Sequence, residues 1–117
     1  LSHAVFTEPQ VAGVGQTEAQ LREAGAEYVV GRAEYADAAM SRALKIDDGL
    51  VKVLAAPDGE LLGCHLVGHE ASMLVHEATL AVRHGLSVED VAGTIHIHPS
   101  MNKVVESAFR DAAAKLE

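Results

Sequence analysis

One β-hairpin in the middle of the chain most constrains what this sequence can fold into. Residues 49–55 and 60–68 are apolar runs of strand length, and Pro57-Asp58-Gly59 separates them. Proline presets the backbone of a turn and glycine accepts a positive φ, so this tripeptide predicts a tight connection. Two strands joined in this way run antiparallel, and their apolar side chains need a covering layer.

Further strands are predicted before the hairpin and helices after it. Extended stretches occupy residues 3–7, 11–15, 28–30 and 33–35, and Thr17 opens a short helix in a capping-box pattern. Residues 70–84 have helical apolar spacing, and Ser87 and Ser100 are predicted N-caps of two later helices. This order predicts an α+β fold, with an antiparallel β-sheet of about four to five strands and helices packed on one side.

The length and charge of the chain restrict its partners. The 117 residues form one predicted domain, residues 1–117, and the net charge is −8. This acidity argues against a nucleic-acid partner and against an anionic membrane surface, since both need a basic face. No apolar run approaches the roughly 20 residues of a membrane span.

The single cysteine and the first residues bear on location. One cysteine, Cys64, excludes an internal disulfide framework and favours a reducing compartment, so we expect a cytoplasmic protein. The chain opens on strand-like residues without a basic leader or an initiator methionine. We therefore expect a fragment of a longer protein.

Few chemical motifs are complete in this sequence. The run Gly13-Val14-Gly15 gives only the first half of a dinucleotide-binding glycine pattern, and Cys64 has no cysteine partner. The sequence contains seven histidines, but none of their spacings is a recognised ligand pattern. We therefore predict no metal site, and a histidine-rich metal module remains the least favoured alternative.

The pair His98-Pro99 is the strongest candidate for chemistry. It lies between two predicted helices, and the proline restricts the backbone of His98. A histidine fixed at such a boundary suits proton transfer, and it equally suits a structural corner. His96, two residues earlier, would face the same way in an extended segment.

Several segments together resemble one family, the pyridine nucleotide–disulfide oxidoreductases, in their C-terminal dimerisation domain. Each segment resembles a family motif, in order along the chain: VFTEP at 5–9, VGQTE at 14–18, Gly63 to Gly68, Glu77-Ala78 with GLSVED at 85–90, and TIHIHPS at 94–100. Dihydrolipoamide dehydrogenase, mercuric reductase and glutathione reductase are members of this family. The resemblance implies an antiparallel sheet with helices to one side.

The resemblance also implies a biochemical role. Such a domain follows FAD-binding and NAD(P)-binding domains, forms a homodimer, and supplies its histidine to the flavin and dithiol site of the partner subunit. The implied enzyme is most like dihydrolipoamide dehydrogenase and uses FAD and NAD(P), with a dithiol, disulfide or lipoyl substrate. This chain alone is expected to bind neither cofactor and to be inactive.

By resemblance, His98 is the catalytic base, with Pro99, His96 and Glu106 in support. The family usually carries Ser-Glu four and five residues after this histidine, and that acid orients the ring. Here those positions are Asn102 and Lys103, and a lysine cannot accept a hydrogen bond. Glu106, one turn later, is a substitute.

The altered motif leaves other functions open. The alternatives are a mercuric reductase-like domain, another low-molecular-weight disulfide reductase domain, and a non-catalytic dimerisation module. In every case, the helix over residues 70–84 is predicted to form the two-fold interface, because it is apolar on more than one side. The residues predicted at that interface are Leu74, Val75, Ala78 and Val82.

Overall fold

A computed structural model describes residues 2–46 and 48–117 of the chain. The strands are β1 (His3–Val5), β2 (Gln10–Gly15), β3 (Val29–Glu34), β4 (Gly49–Ala55) and β5 (Leu61–Gly68). The helices are α1 (Glu18–Glu23), α2 (Ala39–Leu44), α3 (Ala71–Arg83), α4 (Val88–Ala92) and α5 (Asn102–Ala114). Within the described ranges, none of these helices is long and apolar enough to cross a membrane.

The described strands form one antiparallel sheet in the order β1-β2-β5-β4-β3. The predicted hairpin is the pair β4–β5 and lies at the centre, with Val53 opposite Cys64. Strand β2 continues the sheet on the other side of β5, where Val14 is opposite Cys64. The predicted α+β class with an antiparallel sheet is confirmed.

The core lies between one face of this sheet and the long helices. Alternate residues of β4 and β5 point into it, among them Val51, Val53, Cys64 and Leu66. Helix α3 packs against β2 and β5, and α5 packs against β3 and β4. The short α1 buries Leu21, and its Glu18 pairs at 2.9 Å with Lys52 of β4, which alternates with the core residues Val51 and Val53.

Gly31 on β3 allows α5 to approach the sheet unusually closely. A Cβ at this position would collide with the carbonyl oxygen of Ala108 and lie 2.6 Å from the backbone nitrogen of Ala112. Because both contacts are backbone atoms of one helix, no side-chain movement could make room. Helix α5 is therefore held on β3 at a distance that only glycine permits.

The helix starts show which local patterns can be read from the sequence. Thr17 forms the predicted capping box, and Ser87 is the predicted N-cap of α4, where it forms a capping box with Asp90. Helix α3 begins at Ala71, because Glu70 takes a left-handed conformation with φ of 59°. The predicted Ser100 cap is wrong: α5 begins at Asn102, and the Ser100 hydroxyl donates instead to the Ile97 carbonyl at 2.6 Å.

Candidate functional site

The segment between α4 and α5, residues 93–101, carries the predicted catalytic motif. It leaves α4 through Gly93, and the Thr94 hydroxyl donates to the Asp90 carbonyl at 2.9 Å. It enters α5 through Met101, which is buried in the core. We call residues 93–101 the connecting segment; it carries both His96 and His98.

His96 is the buried histidine of this segment, with 6% of its side chain exposed. Its Nε2 lies 2.6 Å from Oε2 of Glu77 on α3. Its Nδ1 lies 2.8 Å from the Thr94 carbonyl oxygen and 3.0 Å from Oε2 of Glu106 on α5. The other carboxylate oxygen of Glu106 accepts from Lys103 Nζ at 2.9 Å. We call Glu77, His96, Lys103 and Glu106 the His96 cluster.

The acceptors around His96 indicate its charge. Both ring nitrogens face oxygens that only accept, and a neutral imidazole has only one N–H. Burial by itself would lower the pKa of His96, but the hydrogen bond and charge of Glu77, assisted by Thr94 and Glu106, outweigh it and raise the pKa. The geometry therefore corresponds to an imidazolium between two carboxylates.

Glu106 is the second buried member of this cluster. Burial acts to raise the pKa of its carboxyl, yet the hydrogen bonds from Lys103 and His96 outweigh burial and lower the pKa. Arg110 on the next turn of α5 adds a contact of 3.6 Å. Glu106 is thus an ionised carboxylate, as a partner for His96 and Lys103 must be.

His98 lies on the other side of the connecting segment. It is exposed and lines a cleft of about 400 Å³ together with Arg42, Lys103, Glu106 and Arg110. Glu106, the predicted support, lines the same cleft, and its side-chain hydrogen bonds go to His96 and Lys103 rather than to His98. Pro99 follows in the same cleft.

The expectation that His96 and His98 face the same way is wrong. His96 lines a different cleft of about 350 Å³, with Glu77, Ile95 and Ile97. The segment forms no strand and has turns and bends on both sides of residues 95–97, so the two-residue alternation of a regular strand does not apply.

The predicted interface residues occupy the wrong face of α3. Leu74, Val75 and Ala78 are buried within this subunit, with Leu74 only 5% exposed, and Val82 is packed partly against the core. They contact the sheet because α3 covers β2 and β5. The outward face of α3 instead presents Met73 and Leu80, with Leu80 60% exposed.

Two more apolar side chains extend that outward surface. Ile95 and Ile97 of the connecting segment are 96% and 79% exposed, and they share a cleft with Glu77 of α3. We call Met73, Leu80, Ile95 and Ile97 the apolar face. Exposed side chains of this size in one region mark an interaction surface.

The incomplete glycine pattern at residues 13–15 is part of a strand. Gly13 and Gly15 are strand residues of β2, paired with His65 and Gly63 of β5, so they form no loop that could receive a phosphate. Cys64 is fully buried, and burial followed by the Glu77 charge raises its pKa to about 12. Among the described residues, no three metal-ligating side chains converge on one point.

Glu77 is the site residue that sequence reasoning missed. It is 19 positions before His96 and belongs to another helix. No local spacing links the two residues, because the contact exists only once α3 and the connecting segment are packed together. The one available signal was that Glu77 is a charged residue within the apolar helix over residues 70–84.

Comparison with known proteins identifies the family. Residues 1–109 match the family model described as the pyridine nucleotide-disulphide oxidoreductase, dimerisation domain. A dihydrolipoyl dehydrogenase of Haloarcula marismortui is 44% identical over 97% of this chain and 24% of its own length. The mitochondrial dihydrolipoyl dehydrogenase of Dictyostelium discoideum is 43% identical over 95% of this chain and 23% of its own length.

A solved structure agrees with these sequence relatives. The HOCl-induced flavoprotein disulfide reductase RclA from Escherichia coli superposes with a TM-score of 0.88 and 25% identity, over 94% of this chain and 26% of that protein. The chain thus spans about a quarter of the length of the proteins it matches.

Proposed function

This chain belongs to the pyridine nucleotide-disulphide oxidoreductases as their dimerisation domain, and from that premise we propose that it pairs two subunits and presents His98 to the dithiol site of its partner. In this proposal it is one domain, residues 1–117, of a longer flavoprotein most like dihydrolipoamide dehydrogenase. In this proposal, FAD and NAD(P) are bound by other domains of that protein. FAD would supply the redox chemistry of that enzyme.

The apolar face is the proposed surface of subunit pairing. Met73 and Leu80 lie seven residues apart, so they share one face of α3, and Ile95 and Ile97 stand beside it. Covering large apolar side chains is the main stabilising contribution in homodimer interfaces. A two-fold pair would cover this surface on both copies at once.

His98 is the proposed proton acceptor. Its exposure in an open cleft, on a segment anchored by the His96 cluster, is the single observation that carries this assignment. The neutral ring takes the proton from one thiol of a dithiol substrate. The resulting thiolate attacks a disulfide sulfur, one S–S bond forms as another breaks, and the departing thiolate carries the electron pair away. His98 returns its proton in the reverse direction.

The nature of the thiol substrate is the open choice within this proposal. Three cationic side chains, Arg42, Lys103 and Arg110, line the His98 cleft. Two carboxylates, Asp37 and Glu106, line the same cleft, and Glu106 pairs with Lys103 and Arg110, so the charge of the cleft does not select between a lipoyl group and another low-molecular-weight disulfide. Two alternatives are a mercuric reductase-like role and a pairing module without catalysis. If the dithiol reaction depends on His98, the experiment below excludes both.

The test uses a flavoprotein that carries this chain as its dimerisation domain. His98→Gln should slow reduction of the flavin by dithiol by about 10²–10⁴-fold, the usual range for general acid–base catalysis. Reduction by the nicotinamide should be unchanged, because His98 takes no part in it. Stopped-flow measurement of the flavin spectrum separates the two half-reactions.

His84→Gln is the matched control, since His84 is an exposed histidine at the end of α3. It should leave both half-reactions unchanged. An equal loss in both half-reactions for His98→Gln, or a loss in neither, would contradict the catalytic role.

A further inference from the structure

His96 is the anchor of the connecting segment. Its two ring nitrogens contact carboxylates from helices that are separate in sequence, Glu77 of α3 at 2.6 Å and Glu106 of α5 at 3.0 Å. Of the other side-chain hydrogen bonds of this segment in the described structure, those of Thr94 to α4 and of Ser100 to Ile97 are local, and Ser41 of α2 donates to Met101 Sδ at 3.6 Å. The position of the segment relative to α3 and α5 therefore depends on the His96 ring.

The charges of the cluster balance around a protonated ring. Two carboxylates, Glu77 and Glu106, are compensated by the imidazolium and by Lys103, which is 2.9 Å from Glu106. Such charge-assisted hydrogen bonds are short and strong, and a buried ion that loses its partner is strongly destabilised. The arrangement is thus stable with His96 protonated and weakened without that proton.

From these contacts we propose that His96 is the positioning residue for His98: its ring, bound to α3 and α5, fixes the connecting segment and thereby the place where His98 meets the substrate thiol. The proposal rests on the proposed role of His98. His96 itself touches no substrate, because it is buried and lines a different cleft from His98.

If the proposal is right, the rate of proton transfer at His98 depends on the protonation state of His96 as well. A neutral His96 can donate from only one nitrogen, so one carboxylate loses its hydrogen bond and the anchor loosens. The groups that face His96 are Glu77 from α3, and Glu106 with Lys103 and Arg110 behind it from α5. Beneath α3 the thiol of Cys64 stays neutral, because its pKa is raised to about 12. Glu77 and Glu106 therefore govern this titration.

The first experiment tests the anchor in this chain alone. In ¹⁵N-histidine NMR, both ring nitrogens of His96 should be protonated at pH 6, and the ring should titrate above the ordinary value of 6.5. Glu77→Gln and Glu106→Gln should each lower that pKa. Glu23→Gln, an exposed carboxylate on α1, should not. A neutral His96 tautomer at pH 6 would overturn the proposal.

The second experiment tests the consequence in the flavoprotein that carries this chain. The dithiol half-reaction should lose rate as the pH rises through the His96 pKa. His96→Asn should slow it by about ten-fold or more at neutral pH and remove that alkaline decline, while the nicotinamide half-reaction is unchanged. Glu77→Gln, on a partly exposed side chain, is the milder variant and should move the decline to lower pH. His84→Asn should match the unmodified protein.

The possible outcomes separate the two proposals. If His98→Gln stops the dithiol reaction but His96→Asn and Glu77→Gln leave its rate and pH profile unchanged, the positioning role is wrong and the proposed function stands. If His98→Gln has no effect while NMR shows a protonated His96, the anchor exists but the proposed function, and with it the positioning role, is wrong.

Discussion

The ionisable residues of the His96 cluster determine how this chain responds to pH. The pKa of His96 is raised in the folded state, so its stabilisation is complete below the unfolded value of 6.5 and is lost as the pH rises through the folded pKa. The pKa of Glu106 is lowered, so its stabilisation is complete above 4.5 and is lost as the pH falls through the folded pKa. Both contributions are present together between these two values.

We therefore expect the contribution of the cluster to stability to be greatest at about pH 4.5–6.5. Urea unfolding at a series of pH values measures this. His96→Asn should abolish the part of the decline that occurs above pH 6.5, because the titrating ring is gone. A stability profile that His96→Asn leaves unchanged above that pH would contradict the protonated anchor.

Lys103 stands at the position where the resemblance leads us to expect an acid, and in the structure it pairs with Glu106. Lys103→Glu removes the 2.9 Å ion pair and places a second carboxylate beside Glu106. The pKa of Glu106 should rise, and the chain should lose roughly 1–2 kcal/mol of stability at neutral pH. Lys103→Gln removes the charge without adding repulsion, so it should cost less. Thermal unfolding of the three proteins gives the comparison.

Lys103→Glu should lower stability but raise the rate of the dithiol half-reaction. An acid at position 103 would return a hydrogen-bond acceptor to the cleft that His98 lines. In the flavoprotein, Lys103→Glu should then speed the dithiol half-reaction even though stability falls. A rate below that of Lys103→Gln would show that the acid does not serve His98 there.

At the scale of whole elements, one face of α3 packs against the sheet and the opposite face is the proposed surface of subunit pairing. Leu74→Ala should cost about 2.7–5 kcal/mol of folding stability, because Leu74 is buried against the sheet. Leu80→Glu should change stability of the folded subunit little and should weaken association, since Leu80 is 60% exposed. Denaturation and sedimentation velocity on both variants distinguish these effects. If Leu74→Ala dissociated the dimer without lowering the free energy of unfolding, the interface would lie on the Leu74 face of α3 and not on the Leu80 face.

The contact of α5 with β3 gives a second test at this scale. Gly31→Ala would force a Cβ against the backbone of Ala108 and Ala112. Because neither backbone atom can move without moving the helix, we expect a loss of about 1–3 kcal/mol. Equilibrium unfolding in urea measures it, and an unchanged midpoint would show that α5 can shift on the sheet.

These elements also show how far the sequence determines the structure. The hairpin and the caps at Thr17 and Ser87 were predicted correctly, because their determinants lie within a few residues. The interface on Leu74 was predicted wrongly, since apolar spacing shows that a helix face is buried but not what buries it. The pairing of His96 with Glu77 depends on packing across 19 residues, and no local pattern encodes it.

At the scale of the whole molecule, the expected unit is a two-fold dimer. Four exposed apolar side chains, Met73, Leu80, Ile95 and Ile97, are more than an isolated subunit needs. The charge of −8 on each copy opposes pairing, so association should strengthen as added salt screens the repulsion. Sedimentation equilibrium over a range of salt concentrations measures both effects. A monomer at every concentration would contradict the proposed surface.

Glu77 is a member of the His96 cluster and also lies beside the apolar face. It lies on α3 between Met73 and Leu80, while its Oε2 bonds to His96; its Oε1 is buried without a partner among the described residues. A second subunit on this face would remove water from Glu77 and strengthen its bond to the imidazolium. Proton binding and subunit binding then share a coupling free energy, which acts equally in both directions. Subunit pairing would favour protonation of His96, and protonation of His96 would favour pairing, with Glu77 as the carboxylate that the two equilibria share.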